Sequence, residues 1–214
     1  MDFIFPKLFP HRHFTTIKSA DNMKNKSQRD SFFQSCSLNS KDLVLAKQVH
    51  GNNVKVVKSS DKNTIIDNCD ALITDDNSVL LGIFTADCIP VLISCGSGKV
   101  KAAVHVGWKG LYLWIAENTI EILKKDFCIN PKDIKVYIGP HIRFCCYKTG
   151  YEMEDKFDVK LVDSKLDLSA ILFNKLKTYD INEIFDVNQC THHNEDLFFS
   201  YRRNSCTQRL LSVI

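Results

Sequence analysis

From Lys41 to Val106 the apolar residues come in short runs: Leu43-Val44-Leu45, Val54 to Val57, Ala71-Leu72-Ile73, Val79 to Phe84, Ile89 to Ile93 and Val100 to Val106. Gly51-Asn52-Asn53, Asp75-Asp76-Asn77 and Gly96-Ser97-Gly98 separate some of them, and such residues favour the tight turns that reverse a chain. The pattern predicts a succession of β-strands. Several runs are apolar nearly throughout, which predicts burial on both strand faces. After Gly110 the period lengthens. Tyr112, Ala116, Thr119, Leu123 and Phe127 recur on one side of a helix that Asn130-Pro131 ends, with Glu117, Glu121 and Lys125 elsewhere on it. A strand over Ile134 to Ile138 follows, then helices over 151–157 and 168–179, the second capped by Asp167, and closing strands at Ile184 to Val187 and Leu210 to Ile214. The polar stretch from Lys18 to Asp30 predicts a solvated loop or a short exposed helix. Without repeats or low-complexity tracts, residues 1–214 read as one mixed α and β domain, its sheet laid down first, in which 1–40 is the segment least marked by pattern.

Size and composition are consistent with that picture. A chain of 214 residues, 44% hydrophobic and 25% charged, is ordinary for a globular domain. At that length it buries roughly 70% of its unfolded surface and needs no disulfide to fold. Its 28 basic residues are spread among 25 acidic ones for a net charge of +3, so it lacks the long basic face that a nucleic-acid backbone requires. Arg202-Arg203 with Arg209 is the nearest approach to a basic patch, sufficient for one small phosphate. Nine cysteines, an odd number with no CxxC pair, suit a reducing compartment, and the cytoplasm is the expected location. No run of ~20 apolar residues predicts a membrane span, the start MDFIFPKLFP lacks the basic region of a signal peptide, and the pattern carries no signal of oligomeric state.

Candidate chemistry gathers at strand ends. His50 closes Lys47-Gln48-Val49-His50-Gly51, Cys88 lies in Thr85-Ala86-Asp87-Cys88, and His105 lies in Val104-His105-Val106-Gly107-Trp108. Taken singly, each histidine reads equally as hydrogen-bonded scaffold and the cysteine as inert core. Their spacing matches no compact zinc-finger pattern.

The motifs KQVHG (47–51), DALIT (70–74), TADCIPVLI (85–93), AAVHVGWKGL (102–111), IGPHIRFCCY (138–147) and CTHHNEDLFFSYRR (190–203) together resemble the YfiH family, also called the multicopper polyphenol oxidase or laccase-domain family. The resemblance implies an α+β fold, a central β-sandwich of mixed strands surrounded by helices. It also implies a zinc site whose ligands fall on His50, Cys88 and His105. The activities it implies are purine nucleoside phosphorolysis, adenosine deamination and phosphorolysis of S-methyl-5′-thioadenosine, with a nucleoside and inorganic phosphate as small-molecule partners. Three places depart from the family pattern. HVGWKG stands for HAGWRG, putting Lys109 where an arginine is usual; CYKTG stands for CYEVG, putting Lys148 in place of an acid; and Asn204-Ser205-Cys206 replaces a glycine-rich turn.

Zinc suits two imidazoles and a thiolate better than copper does, because a multicopper centre needs more histidines than seven, of which only His50, His105, His141, His192 and His193 lie in these motifs. Three protein ligands leave a fourth position for water or substrate. The expected catalytic residues are Cys88 and His105, with Asp87 as a histidine's partner or a proton carrier. Phosphate is expected on Arg202, Arg203, His141 and Lys109, with Arg203 slightly preferred over Arg202. Trp108 and Phe144 are candidates to stack on a purine, and Cys145-Cys146 reads as packing. Two other functions remain open: a hydrolase using Cys88 as nucleophile and His105 as base, acting on a cell-wall precursor as the family's peptidoglycan-editing members are described to do, and a non-catalytic metal-dependent interaction domain.

Overall fold

The computed structural model describes residues 2–4 and 9–214, and these form two six-stranded mixed sheets stacked face to face with helices on both outer surfaces. The first sheet has the order β1 (Phe3–Ile4), β2 (Phe14–Thr16), β12 (Leu210–Val213), β7 (Leu80–Thr85), β3 (Leu43–Ala46), β5 (Ile65–Ile66). The second runs β11 (Glu183–Asp186), β10 (Lys135–Ile138), β8 (Ile89–Cys95), β9 (Val100–Val106), β6 (Ala71–Thr74), β4 (Val54–Val56). The expected sandwich surrounded by helices is what forms.

Strand parity explains the layering. Along β8 and β9, Ile89, Val91, Ile93, Ala102, Val104 and Val106 turn towards the helices, where Ile115, Ile120, Leu123, Leu172 and Leu176 meet them. Their alternates Leu92 and Ala103 face the other sheet and pack with Val44, Leu81, Ile83 and Tyr137. Every residue of both strands is buried, as a strand covered on both faces demands. His105 shares the parity of Ala103, so it points between the sheets near the end of β9, where the sandwich opens.

The helix expected over Tyr112 to Phe127 is broken in two. The structure has α2 (Trp108–Tyr112) and α3 (Ile115–Asp126), separated at Trp114, whose φ is 70°. Tyr112 is exposed, and the buried stripe is Ile115, Ala116, Thr119, Ile120 and Leu123. The break lets α2 lie against the loop after β3, so close that a Cβ on Gly110 would come within 2.9 Å of the Gly51 carbonyl oxygen. Next come α4 (Glu152–Phe157) and α5 (Leu168–Lys177), and Asp167 caps α5 by accepting from the Ala170 amide at 2.9 Å.

The segment before residue 40 is more structured than its polarity suggests. After a single turn of 3-10 helix at Lys18–Ala20, α1 spans Lys26–Ser35, with the Asn25 side chain accepting from the Ser27 amide as N-cap. Phe32 and Phe33 bury against Phe14, Leu43, Leu45, Leu211 and Val213 and cover the outer face of the first sheet. The polar stretch ends just before the apolar pair that anchors it, so the pattern across 18–30 conceals the helix.

Candidate active site

Two loops and the end of β9 bring His50, Cys88 and His105 together at one end of the sandwich. Their ligand atoms all lie within 4.8 Å of one another, and the burial runs from exposed His50 through half-buried Cys88 to buried His105. The His50 and His105 rings meet edge to face with centroids 4.8 Å apart. Cys88 sits in the tight link between β7 and β8, where Asp87 adopts a left-handed φ of 91°. Gly107 leaves the space beneath the three: a Cβ there would lie 3.1 Å from His50 Cδ2 and 3.2 Å from Cys88 Sγ.

Asp70, an acid with no distinguishing sequence signal, organises this group. Fully buried just before β6, it accepts from His105 Nδ1 at 2.8 Å. It also accepts from the backbone amides of Val49 (3.2 Å), His50 (3.0 Å) and Gly51 (2.8 Å). One carboxylate thus orients one histidine and shapes the loop that carries the other. Burial would raise the Asp70 carboxyl, but His105 and the amides of Gly51 and Val49 bring it below its ordinary value. Burial also opposes charge on Cys88, yet His105 beside it and hydrogen bonds from both imidazoles lower the thiol to about 6. Burial works against a protonated His105 too, while Cys88 and then Asp70 raise it to about 9. Both shifts, one down and one up, favour the thiolate–imidazolium form of the pair.

The donor set fits a metal ion. Asp70 holds Nδ1 of His105 and leaves Nε2 free to ligate, the arrangement common to metal-bound histidines. Cys88 is ready as thiolate, the form that ligates.

The group lines a cleft of about 720 Å³. Lys24, Arg29, Lys47, Arg202 and Arg209 contribute five cationic side chains to its walls against the single acid Asp87, with Phe84, Trp108, Tyr147 and Tyr201 as aromatic surface. Gln48 fixes one wall by exchanging two hydrogen bonds with the Phe84 backbone, at 2.7 and 2.8 Å. Burial, with Arg202 opposing it, raises the Tyr147 hydroxyl to about 12, so this side chain keeps its proton.

The other expected residues divide. Arg202, on the short helix α6 (Tyr201–Asn204), lines the cleft with its guanidinium 5.0 Å from the Tyr147 ring centroid. Arg203 does not: it donates to the carbonyls of Thr191 (3.0 Å), His192 (3.0 Å) and Phe198 (2.8 Å) and ties the 191–198 segment together. Asp87 lines the cleft, but its carboxylate accepts from Thr191 Oγ1 (2.6 Å), Ser200 Oγ (3.0 Å) and the Arg202 amide (2.6 Å), while His105 pairs with Asp70. His141 is fully buried, with Nδ1 on the Gly139 carbonyl at 2.8 Å and Nε2 facing Arg143 at 3.2 Å, and burial lowers it to about 4. Lys109 is exposed beside Trp108, outside the cleft walls, and so is Phe144. Cys146 is half-buried against the core, as packing predicts, but Cys145 is exposed, so packing does not account for it. Lys24, Arg29 and Lys47 carry no shared sequence signal, because they are scattered along the chain and converge only when α1 and β3 are placed.

A family model described as multi-copper polyphenol oxidoreductase laccase matches residues 15–214. A purine nucleoside phosphorylase from Clostridium acetobutylicum is 37% identical over 201 residues, 90% of this chain and 80% of that protein. Purine nucleoside phosphorylase YfiH of Escherichia coli is 30% identical over 202 residues, 88% of this chain and 79% of its own length. Among solved structures, YlmD from Geobacillus stearothermophilus superposes with a TM-score of 0.93 at 25% identity, covering 100% of this chain and 95% of that one.

Proposed function

We propose that this chain, which belongs to the multi-copper polyphenol oxidoreductase laccase family, is a zinc-dependent purine nucleoside phosphorylase that also deaminates adenosine and phosphorolyses S-methyl-5′-thioadenosine. The observation that carries the reading is the meeting of a thiolate–imidazole trio with a cleft walled by five cations. Phosphate attacks C1′ of the ribose as the C1′–N9 bond breaks, so the protein must hold a dianion beside the sugar without quenching its nucleophilic oxygen. Cations spread along a wall do this by positioning. Arg202, beside Tyr147, is the residue we assign to phosphate. Phe84, Trp108, Tyr147 and Tyr201 offer faces for the purine and ribose, and the Tyr147 hydroxyl donates a hydrogen bond. His50, Cys88 and His105 would hold zinc, which supplies Lewis acidity with an open coordination position.

Zinc is preferred to copper on the donor set. Among the described residues, the groups of three ligand atoms within 4.8 Å are this trio and a cluster of three cysteines, and neither gathers the histidines of a trinuclear copper centre. Nine free thiols support a reducing compartment.

The test is base release from inosine, adenosine and S-methyl-5′-thioadenosine by zinc-loaded protein, with and without phosphate. Phosphate-dependent formation of the ribose 1-phosphate product is expected. Adenosine should give inosine when phosphate is omitted. No phosphate-dependent release from any of the three would overturn the reading.

A second reading has its own support. Asp70, His105 and Cys88 form a carboxylate–imidazole–thiol relay, the arrangement of a cysteine hydrolase. Hydrolysis of a cell-wall precursor that survives chelation and is abolished by thiol alkylation would favour it.

A further inference from the structure

We propose that Cys145, Cys146 and Cys190 form a second, all-sulfur site for a thiophilic d10 cation, Cu+ or Zn2+, separate from the His50–Cys88–His105 trio. The three sulfurs lie within 4.8 Å of one another. Neighbouring cysteines in a chain often point apart, but here Cys145 Sγ and Cys146 Sγ are 3.5 Å apart. A tight turn sets that geometry, the amides of Cys146 and Tyr147 both donating to the Arg143 carbonyl at 2.9 and 3.0 Å. Cys190 reaches the same point from another segment, held by the bridge between His141 and Cys190. A sulfur–sulfur bond would need about 2.05 Å. Three sulfurs around one ion at about 2.3 Å stand about 4 Å apart, within the spacing seen here.

The surroundings of Cys190 suit ligation, whereas burial holds the Cys145 and Cys146 thiols above their ordinary value, so an ion must displace their protons. The Arg143 amide donates to Cys190 Sγ at 3.5 Å, and the His193 and His192 amides also address that sulfur. Amide donors stabilise a thiolate without competing for the metal. Burial decreases from Cys190 through Cys146 to exposed Cys145, so an ion has a path in and room for a fourth ligand. Soft sulfur donors select Cu+ and Zn2+ over the harder cations. Binding forms three metal–sulfur bonds and releases to solvent whatever protons the thiols carry. Tyr147 follows Cys146 directly, so an ion here would stiffen the turn that brings Tyr147 into the cleft.

Full-length Cys88→Ala protein, which lacks the trio's thiolate, isolates this site. Under reducing conditions it is titrated with Cu+ against a chromophoric chelator, and separately with Zn2+. One equivalent of at least one ion should bind tightly, and the arm that binds identifies which. Cys88→Ala/Cys145→Ser/Cys146→Ser should bind none, with circular dichroism confirming its fold. X-ray absorption of the loaded Cys88→Ala protein needs no change in the cluster and should show a shell of three sulfurs. No tight equivalent in Cys88→Ala, stoichiometry unchanged by the two serines, or a first shell of nitrogen and oxygen would overturn the proposal.

Discussion

His105 gives its two ring nitrogens separate partners: Nδ1 faces the Asp70 carboxylate at 2.8 Å, which leaves Nε2 for the side of Cys88. Asp70→Asn replaces the acceptor with an amide that cannot serve His105 and three backbone amides at once. Zinc affinity should fall about 10–100-fold, and chemical denaturation should show about 2–3 kcal/mol of lost stability, because buried donors are left unsatisfied. Unchanged zinc affinity would show that the carboxylate matters only to the 49–51 loop. The electrostatics of the trio give a second expectation. With Cys88 lowered to about 6 and His105 raised to about 9, the metal-free pair between those values is a thiolate carrying one imidazolium proton beside it. An incoming ion must displace that proton, so apparent zinc affinity should rise about tenfold per pH unit across the window and flatten above it. Below about 6 the thiol is protonated as well, and the dependence steepens. Competition with a chelator of known protonation, using Cys145→Ser/Cys146→Ser protein to isolate the trio, measures the slope; a flat profile would mean that no proton is displaced.

At the scale of elements, the cleft wall near Arg202 is held by Asp87, whose three hydrogen bonds join the β7–β8 link to Thr191 and the start of α6. On the proposed reading, Asp87 and Arg203 position this wall and Arg202 binds phosphate. Arg202→Ala should raise the KM for phosphate about tenfold or more with little loss of stability, as expected when a binding contact is removed. Arg203→Ala should instead destabilise by about 1–3 kcal/mol, because three carbonyls lose their donor. Asp87→Asn should lower kcat/KM for phosphorolysis and leave zinc affinity within about twofold. A loss of zinc from Asp87→Asn would put that residue back beside the metal.

These elements also show what was legible in the chain. Strand runs declare themselves by apolar density, and motif order leads to His50, Cys88 and His105, which the fold brings together. Asp70 opens the DALIT motif (70–74) but looks like any acid before a strand; its role depends on β6 pairing with β9, where Ala71 stands opposite Val104. Arg202 and Arg203 are adjacent and chemically identical, and only the direction each takes from α6 separates wall from scaffold. The break at Trp114 escapes a periodic reading because Leu111, buried on α2, and Ile115, buried on α3, keep a four-residue helical spacing across it.

Across the whole molecule, the trio sits at the open end of the sandwich, while the apolar layers lie between the sheets and beneath the helices. Two six-stranded sheets with helical cover bury an extensive apolar core, so on the proposed reading an ion would serve function while the core serves folding. Phe33 is fully buried between α1 and the first sheet, and cutting it to alanine removes a ring from a packed layer. Such truncations cost about 3–5 kcal/mol. Cys88→Ala removes one small half-buried side chain at the rim. His105 then loses the thiolate that raised it but keeps Asp70, so no buried charge is left unpaired. Calorimetry in the presence of a chelator should therefore place Cys88→Ala within about 2–4 °C of the unsubstituted protein, the shift that about 1 kcal/mol makes in a domain of this size. Phe33→Ala should melt several times further below. If Cys88→Ala unfolds as early as Phe33→Ala, the thiolate–imidazolium pair is part of what holds the sheets together, and the separation of site from core fails.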